Sequence, residues 1–274
     1  SIPLTAALAD NDLTGNGTQE LGALGRDWHS VRTIPDTTRN QAAFLNLSLM
    51  QALNADWTLS GNAYYRNIKT RTFNGDVNDE SMSESVYQPT ASERAALAAA
   101  GYTGYPASGA NASNTPFPKW RCIANALLNT EPNEKCNGLL NRTETQQQNY
   151  GLAAQLSTQA RTGQLEHLLV LGAAYDASRI RFGQGTQFGY INPDRTVTPV
   201  SGPGAFADGT EDSEGAFDAR VDLRSRSRTA SLFATDTIAL DTRTHLTLSA
   251  RYNRTTVDNS DQLTPGGGAG SLDG

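Results

Sequence analysis

Three histidines, His29, His167 and His245, are the side chains best suited to moving protons near neutral pH. They lie far apart in the chain, and none has the spacing of a zinc or catalytic motif. No G-x-S-x-G, P-loop or H-E-x-x-H occurs. Gly183 and Gly185 fall in a polar stretch read as loop with no helix after it, so they make no dinucleotide fingerprint. Asp10-Asn11-Asp12-Leu13-Thr14-Gly15 opens like a calcium loop. Thr14, however, stands where the fifth ligand belongs, and Leu21 where a bidentate Glu is needed. Asp208, Glu211, Asp212 and Glu214 have the charge to hold a hard cation, but the run reads better as a solvated acidic loop. No constellation of acid, base and nucleophile emerges. No catalytic residue, metal ligand or cofactor is assigned, and an enzyme is the least favoured class.

Cys122 and Cys136 have thirteen residues between them. In an oxidising envelope a disulfide would constrain that loop by about 3 kcal/mol in the chain-entropy model. Two unpaired thiols are the alternative reading. Two cysteines are in any case too few for a disulfide-dense scaffold.

Composition narrows the class. The 274 residues are 37% hydrophobic and 18% charged, so the chain is polar without being heavily charged. Disorder usually joins low hydrophobicity to high net charge, and a formal charge of −6 over this length is modest. Twenty-two basic against 28 acidic residues argue against a nucleic-acid partner. No apolar run approaches the roughly 18 residues of a membrane-spanning helix, which leaves open a barrel, whose strands alternate. With no initiator Met, basic n-region or apolar h-region, the chain reads as a processed product or an excised piece.

Period two is the clearest signal. Ala43, Leu45, Leu47 and Leu49 share one parity; after Asn54-Ala55-Asp56, so do Trp57, Leu59, Gly61, Ala63 and Tyr65. Tyr150, Leu152, Ala154 and Leu156 repeat the pattern, and beyond a turn around Arg161-Thr162-Gly163-Gln164 come Leu169, Leu171, Ala173 and Tyr175. A third pair joins residues 228–240 to Leu246, Leu248, Ala250 and Tyr252. In its first strand Leu232/Ala234 and Phe233/Thr235 fit equally well. The expected elements are six strands in three hairpins, at 39–69, 143–181 and 227–257. Between them, 70–142 and 182–226 read as long loops, as do 1–38 and the start of another at 258–274. Thr90 and Glu93 form a capping box for a short helix ending at Gly101 within the first of these.

Short turns alternating with long loops are the asymmetry of an outer-membrane barrel, with periplasmic turns and extracellular loops. The aromatics agree. Tyr65, Tyr150, Tyr175 and Tyr252 stand on the apolar face at the long-loop ends of their strands, and Trp57 on that face at the short-turn end. Two interface girdles separated by a strand of about 9–11 residues would place them so. Asn62, Tyr64, Arg66, Gln155 and Arg251 occupy the opposite face and would line a lumen. The expected fold is therefore all-β, an antiparallel transmembrane barrel segment. It is incomplete, because six strands cannot close around a lumen.

Three segments carry a resemblance to one family; the shortest runs from His167-Leu168 through Leu171-Gly172-Ala173-Ala174-Tyr175-Asp176 and is similar to a single strand of its barrel. Leu232-Phe233-Ala234-Thr235-Asp236-Thr237-Ile238-Ala239-Leu240, followed by Leu246-Thr247-Leu248-Ser249-Ala250-Arg251-Tyr252-Asn253, resembles a hairpin of TonB-dependent outer-membrane receptors. Ile238 stands there for the usual aromatic and Asn253 for Asp. Cys136-Asn137-Gly138-Leu139-Leu140-Asn141-Arg142-Thr143, running into Tyr150-Gly151-Leu152-Ala153-Ala154-Gln155-Leu156, is similar to another stretch of that barrel. The resemblance implies 22 strands around an N-terminal plug. It also implies loops that capture a siderophore, cobalamin or glycan, and import driven by TonB through the plug. No plug and no TonB box are found in this sequence. The implied partners are outer-membrane lipid, the plug, the remaining strands, TonB and a small-molecule or glycan ligand. A passive porin or autotransporter-type segment and a secreted β-rich binding module remain alternatives.

Overall fold

Alternating residues favour strands that bury one face at most, and the chain folds as one antiparallel sheet. The computed structural model describes residues 1–15, 19–83, 88–106, 119–205, 218–263 and 270–273. In chain order it contains β1 (Leu4–Thr14), α1 (Leu21–Leu24), β2 (Asp36–Ala52), β3 (Trp57–Val77), a 3₁₀ turn (Asp79–Ser83) and α2 (Ala91–Ala99). Then follow α3 (Lys119–Leu128), α4 (Pro132–Lys135), β4 (Gly138–Thr162), β5 (Leu165–Ile191), β6 (Val197–Pro199), β7 (Asp218–Ala239), β8 (His245–Asp261) and β9 (Gly270–Asp273). The strand order is β1-β2-β3-β4-β5-β7-β8-β9, with β6 hydrogen-bonded to β5. Among the described residues β1 pairs only with β2 and β9 only with β8, so the sheet is open.

The three expected hairpins are β2–β3, β4–β5 and β7–β8, each closed by a short turn. Asn54 Oδ1 accepts the amides of Asp56 and Trp57, both at 2.9 Å. Asp241 Oδ1 accepts those of Arg243 and Thr244 at 2.7 and 2.9 Å. The Arg243 amide first, then the Thr244 hydroxyl and amide, hold the Asp241 carboxyl below the usual carboxylate range. Gly163 turns the chain between β4 and β5 with φ of +64°. Arg161 and Thr162, expected in that turn, belong to β4.

The strands are longer than the hydrophobic period indicates. Residues 70–77 and 138–142 continue β3 and β4 and remain paired through Val77↔Gly138. β5 runs to Ile191, so Gly183 and Gly185 lie in a strand, with a register shift between Gln184 and Gly185. β1 occupies Leu4–Thr14, where a loop was expected, and this removes the calcium-loop reading of Asp10 and Asp12. The physical reason is that these outer parts keep no single apolar parity: Leu139 and Leu140 are adjacent, Phe188 and Ile191 fall on opposite parities, and Ala7 and Ala9 oppose Leu4 and Leu8. The ladder and side-chain pairs such as Thr72–Thr143 (2.6 Å) hold them, and neither leaves a hydrophobic period.

Among the described residues the buried apolar clusters lie at the long-loop end of the sheet and in the cap over it. Leu97 of α2, Cys122, Ile123, Ala124 and Ala126 of α3, Cys136, and Phe188 and Tyr190 of β5 pack with Val200 and Ala205. A smaller cluster joins Leu140, Ile191 and Val197 to Phe73 and Val77. Among the described residues no helix is long and apolar enough to cross a membrane.

Candidate functional site: the two faces and the cap

Register decides which side chains share a face. Tyr65 lies directly across from Tyr150, Leu45 across from Tyr65, and Leu152 across from Tyr175. Leu232 faces Tyr252, which settles the parity of β7: Leu232, Ala234 and Ile238 join the apolar face, and Phe233 the other. Among the described residues this apolar face is largely uncovered. Leu152 is 61% exposed, Leu232 63% and Tyr252 66%. The tyrosine row shifts two residues toward the short turns between β4 and β5, and two more between β5 and β8. Such a stagger is what strand tilt in a barrel wall produces. From Trp57 to Tyr65 the strand rises about 26 Å, or about 20 Å of height at a tilt near 40°, close to the roughly 25 Å of a barrel's apolar band.

The opposite face is a connected polar surface. Asn62 Nδ2 donates to Asn46 Oδ1 (3.1 Å), and Asn46 Nδ2 to Ser48 Oγ (2.9 Å). Tyr64 Oη donates to Asp176 Oδ1 at 2.8 Å, the two side chains closing over Gly151 between them. Gln155, Gly172, Phe233 and Arg251 fall on one register row. The Phe233 ring lies over Gly172, where a Cβ would stand 2.1 Å from its Cζ. Arg251 stacks 5.7 Å from that ring while donating to Ser231 Oγ (3.0 Å) and Asn253 Oδ1 (2.8 Å). Asn62 and Gln155 line one groove of about 510 Å³ with Phe233. Arg66 shares the face, two residues beyond Tyr64, and is not drawn into these contacts.

The cap is built by local rules readable in its sequence. Thr90 and Glu93 make the reciprocal capping box: the Glu93 amide donates to Thr90 Oγ1 (3.3 Å) and the Thr90 amide to Glu93 Oε2 (2.7 Å). The other Glu93 oxygen accepts from Asn125 (2.8 Å) and Arg121 (3.4 Å), tying α2 to α3. A Cys122–Cys136 disulfide closes α3 onto α4. Trp120 packs edge-on against Tyr102 and Tyr105, with Lys119 Nζ 4.8 Å above its ring. Helix α3 went unforeseen, although Trp120, Ile123, Ala124 and Leu127 carry the i, i+3, i+4, i+7 spacing that identifies one.

Chemistry is sparse elsewhere. His167 Nδ1 lies 2.9 Å from Asp236 Oδ2 near the short turns, and His245 begins β8. Among the described residues no group of three or more His, Cys, Asp or Glu is placed to hold a metal. The acidic run from Asp208 to Glu214 lies outside the described residues.

Residues 3–273 match the family described as TonB dependent receptor-like, beta-barrel. No curated protein matches the sequence. Among solved structures, the unliganded ferric citrate transporter FecA aligns with a TM-score of 0.62 at 9% identity, over 99% of this chain and 29% of that one. The ferric-catecholate import receptor Fiu of E. coli K12 aligns in its open form at 0.54 and 11% identity, over 100% of this chain and 39% of that one. Its closed form gives 0.52 and 10%, over 100% and 36%. The chain thus spans about a third of the structures it resembles.

Proposed function

Because the chain belongs to the family of TonB-dependent receptor β-barrels, we propose that it forms part of the wall and outward loops of an outer-membrane receptor that imports a scarce ferric chelate. The observation that carries this reading is the exposed Leu/Ala face bounded by a tyrosine row on one side and Trp57 on the other. A soluble sandwich would bury such a face against a second sheet; a bilayer covers it without one.

On this reading the Trp57, Tyr65, Tyr150, Tyr175 and Tyr252 rings stand at the two interfaces. Asn62, Tyr64, Arg66, Gln155 and Arg251 face the lumen and a plug. The ladder beyond the tyrosines and the disulfide-closed cap project outside, where Trp120, Tyr102, Tyr105 and Lys119 offer aromatic and cationic contacts to an anionic chelate. TonB delivers energy to the plug, and the open edges of β1 and β9 meet further strands. FecA and Fiu, which share the fold, are a ferric citrate transporter and a ferric-catecholate import receptor; this supports the choice of ligand class.

The test is an immunoblot of fractionated source cells with an antibody against residues 70–142, boiled and unboiled, paired with uptake of radiolabelled ferric chelates under iron limitation. The expected result is a heat-modifiable outer-membrane band well above 29.3 kDa, with uptake lost when the gene or TonB is removed. A soluble band near 29.3 kDa that boiling leaves unchanged refutes the reading.

A further inference from the structure

The charge on the apolar-girdled face changes abruptly above the tyrosine row. Four residues past Tyr175, Arg179 lies directly across from Arg226 of β7; two residues further, Arg181 lies directly across from Arg224. Like charges facing each other across a ladder repel, and the sheet gains nothing from the arrangement by itself. All four side chains are exposed, and none has an ion-pair partner among the described residues. Asp258 of β8 faces Arg226 in register without forming an ion pair with it.

Nearby cations of the same belt are treated differently. Arg39 is held by Asp10 at 3.1 Å, and Lys69 and Arg71 by Glu144 at 3.1 and 3.2 Å. The four arginines line a cleft of about 390 Å³, with Lys69 and Gln146 on its other wall. Its remaining lining is neutral, so positive charge is concentrated there although the chain is acidic overall.

We propose that this cleft binds the phosphate groups of membrane lipid headgroups in the outer leaflet. The inference rests on the membrane reading of the tyrosine row. At about 3.3 Å per residue and a tilt near 40°, Arg179 and Arg226 stand about 10 Å above the Tyr175 ring. The headgroup layer adds roughly 5–8 Å beyond the hydrocarbon edge, and arginine stems bend toward it. Planar guanidinium groups on neighbouring strands present paired donors, a geometry that suits a phosphate better than a lone carboxylate. A headgroup phosphate would also cancel the cross-strand repulsion that the bare sheet carries.

The test uses the intact receptor in mixed detergent micelles and reads its thermal midpoint in three conditions. These are dioleoyl phosphatidic acid, dioleoylglycerol as the chain-matched control, and inorganic phosphate. Phosphatidic acid is expected to raise the midpoint and dioleoylglycerol to leave it unchanged. The variant R179Q/R181Q/R224Q/R226Q is expected to bind phosphatidic acid about tenfold more weakly or worse, while melting no lower than wild type in its absence. R161Q, at the opposite rim, should respond as wild type does. If the quadruple variant does not fold, R179Q/R226Q and R181Q/R224Q should each lose part of the shift.

An equal response from the quadruple variant, or an equal shift with dioleoylglycerol, overturns the proposal. So does full competition by inorganic phosphate at matched concentration, which would mark a free-anion site. A protein with no heat-modifiable form sinks the membrane reading and this inference with it. A heat-modifiable protein indifferent to phosphatidic acid sinks only the inference.

Discussion

Replacing Gly172 with Ala tests the packing of the polar face most directly. A Cβ built there would lie 2.1, 2.5 and 2.7 Å from Cζ, Cε2 and Cε1 of Phe233. Carbon atoms rest at about 3.5–4.0 Å, so the ring must retreat by about 1.5 Å. Overpacking of this kind costs about 1–3 kcal/mol, and a displaced ring weakens the Arg251 stacking, itself about 0.5–1 kcal/mol at an exposed site. Against this, removing a glycine from the unfolded chain stabilises by about 0.4–1 kcal/mol. The net expectation is a loss of about 1–2 kcal/mol. Phe233→Ala alone should cost a similar amount, because the ring is only half-buried. With the ring gone the new Cβ meets no obstacle, so the double variant should recover about 1–2 kcal/mol relative to the sum of the singles. The assay is denaturant unfolding of the receptor in micelles, following the heat-modifiable fraction. Gly183→Ala is the internal control, since the nearest atom to its Cβ is Val221 O at 3.8 Å, an ordinary contact. Additivity within about 0.5 kcal/mol would refute the reasoning.

Ala154→Arg puts a charge at mid-depth on the apolar face and should cost about 2–4 kcal/mol in lipid, whereas Ala153→Arg on the polar face should cost much less; equal losses by folding titration into vesicles would reverse the assignment of faces. Cys122→Ser should remove about 3 kcal/mol from the cap, seen as faster amide exchange in α3 with β2–β3 protection unchanged. Glu144, held at about 2 by the Gln146 amide and by Lys69 and Arg71, is ionised more readily in the folded state than its ordinary value of 4.5 allows. Its contribution is therefore full above about pH 4.5 and is lost as pH falls toward 2. Partial exposure keeps that contribution under about 1 kcal/mol, so E144Q should show a slightly smaller drop in unfolding midpoint between pH 6 and pH 3 than wild type.

Alternation alone determined the three hairpins, because a two-residue period with one apolar parity has no other way to hide its leucines. It also determined that the tyrosines and Trp57 share a face, since parity is a counting property of the chain. The capping box at Thr90 and Glu93 is likewise a local rule that needs no tertiary partner. Strand ends were not legible: past Tyr65 and Tyr150 the few apolar residues, Phe73, Leu139 and Leu140 among them, keep no single parity, and only the ladder between β3 and β4 shows that residues 70–77 and 138–142 are paired. In β1 Leu4, Ala6 and Leu8 share the parity that meets Leu47, Leu45 and Ala43, but Ala7 and Ala9 on the other parity blur it. Parity in β7 could not be read from Leu232 and Phe233, both apolar; Gly172 across the ladder decided it, by leaving room for a ring only on the polar face. The opposed arginines, 47 residues apart at Arg179 and Arg226 and 43 apart at Arg181 and Arg224, are neighbours only because β5 and β7 pair in that register. Chain-local patterns record what one strand needs from its surroundings; which charges, rings and glycines meet is a property of register, and register is set by the whole sheet.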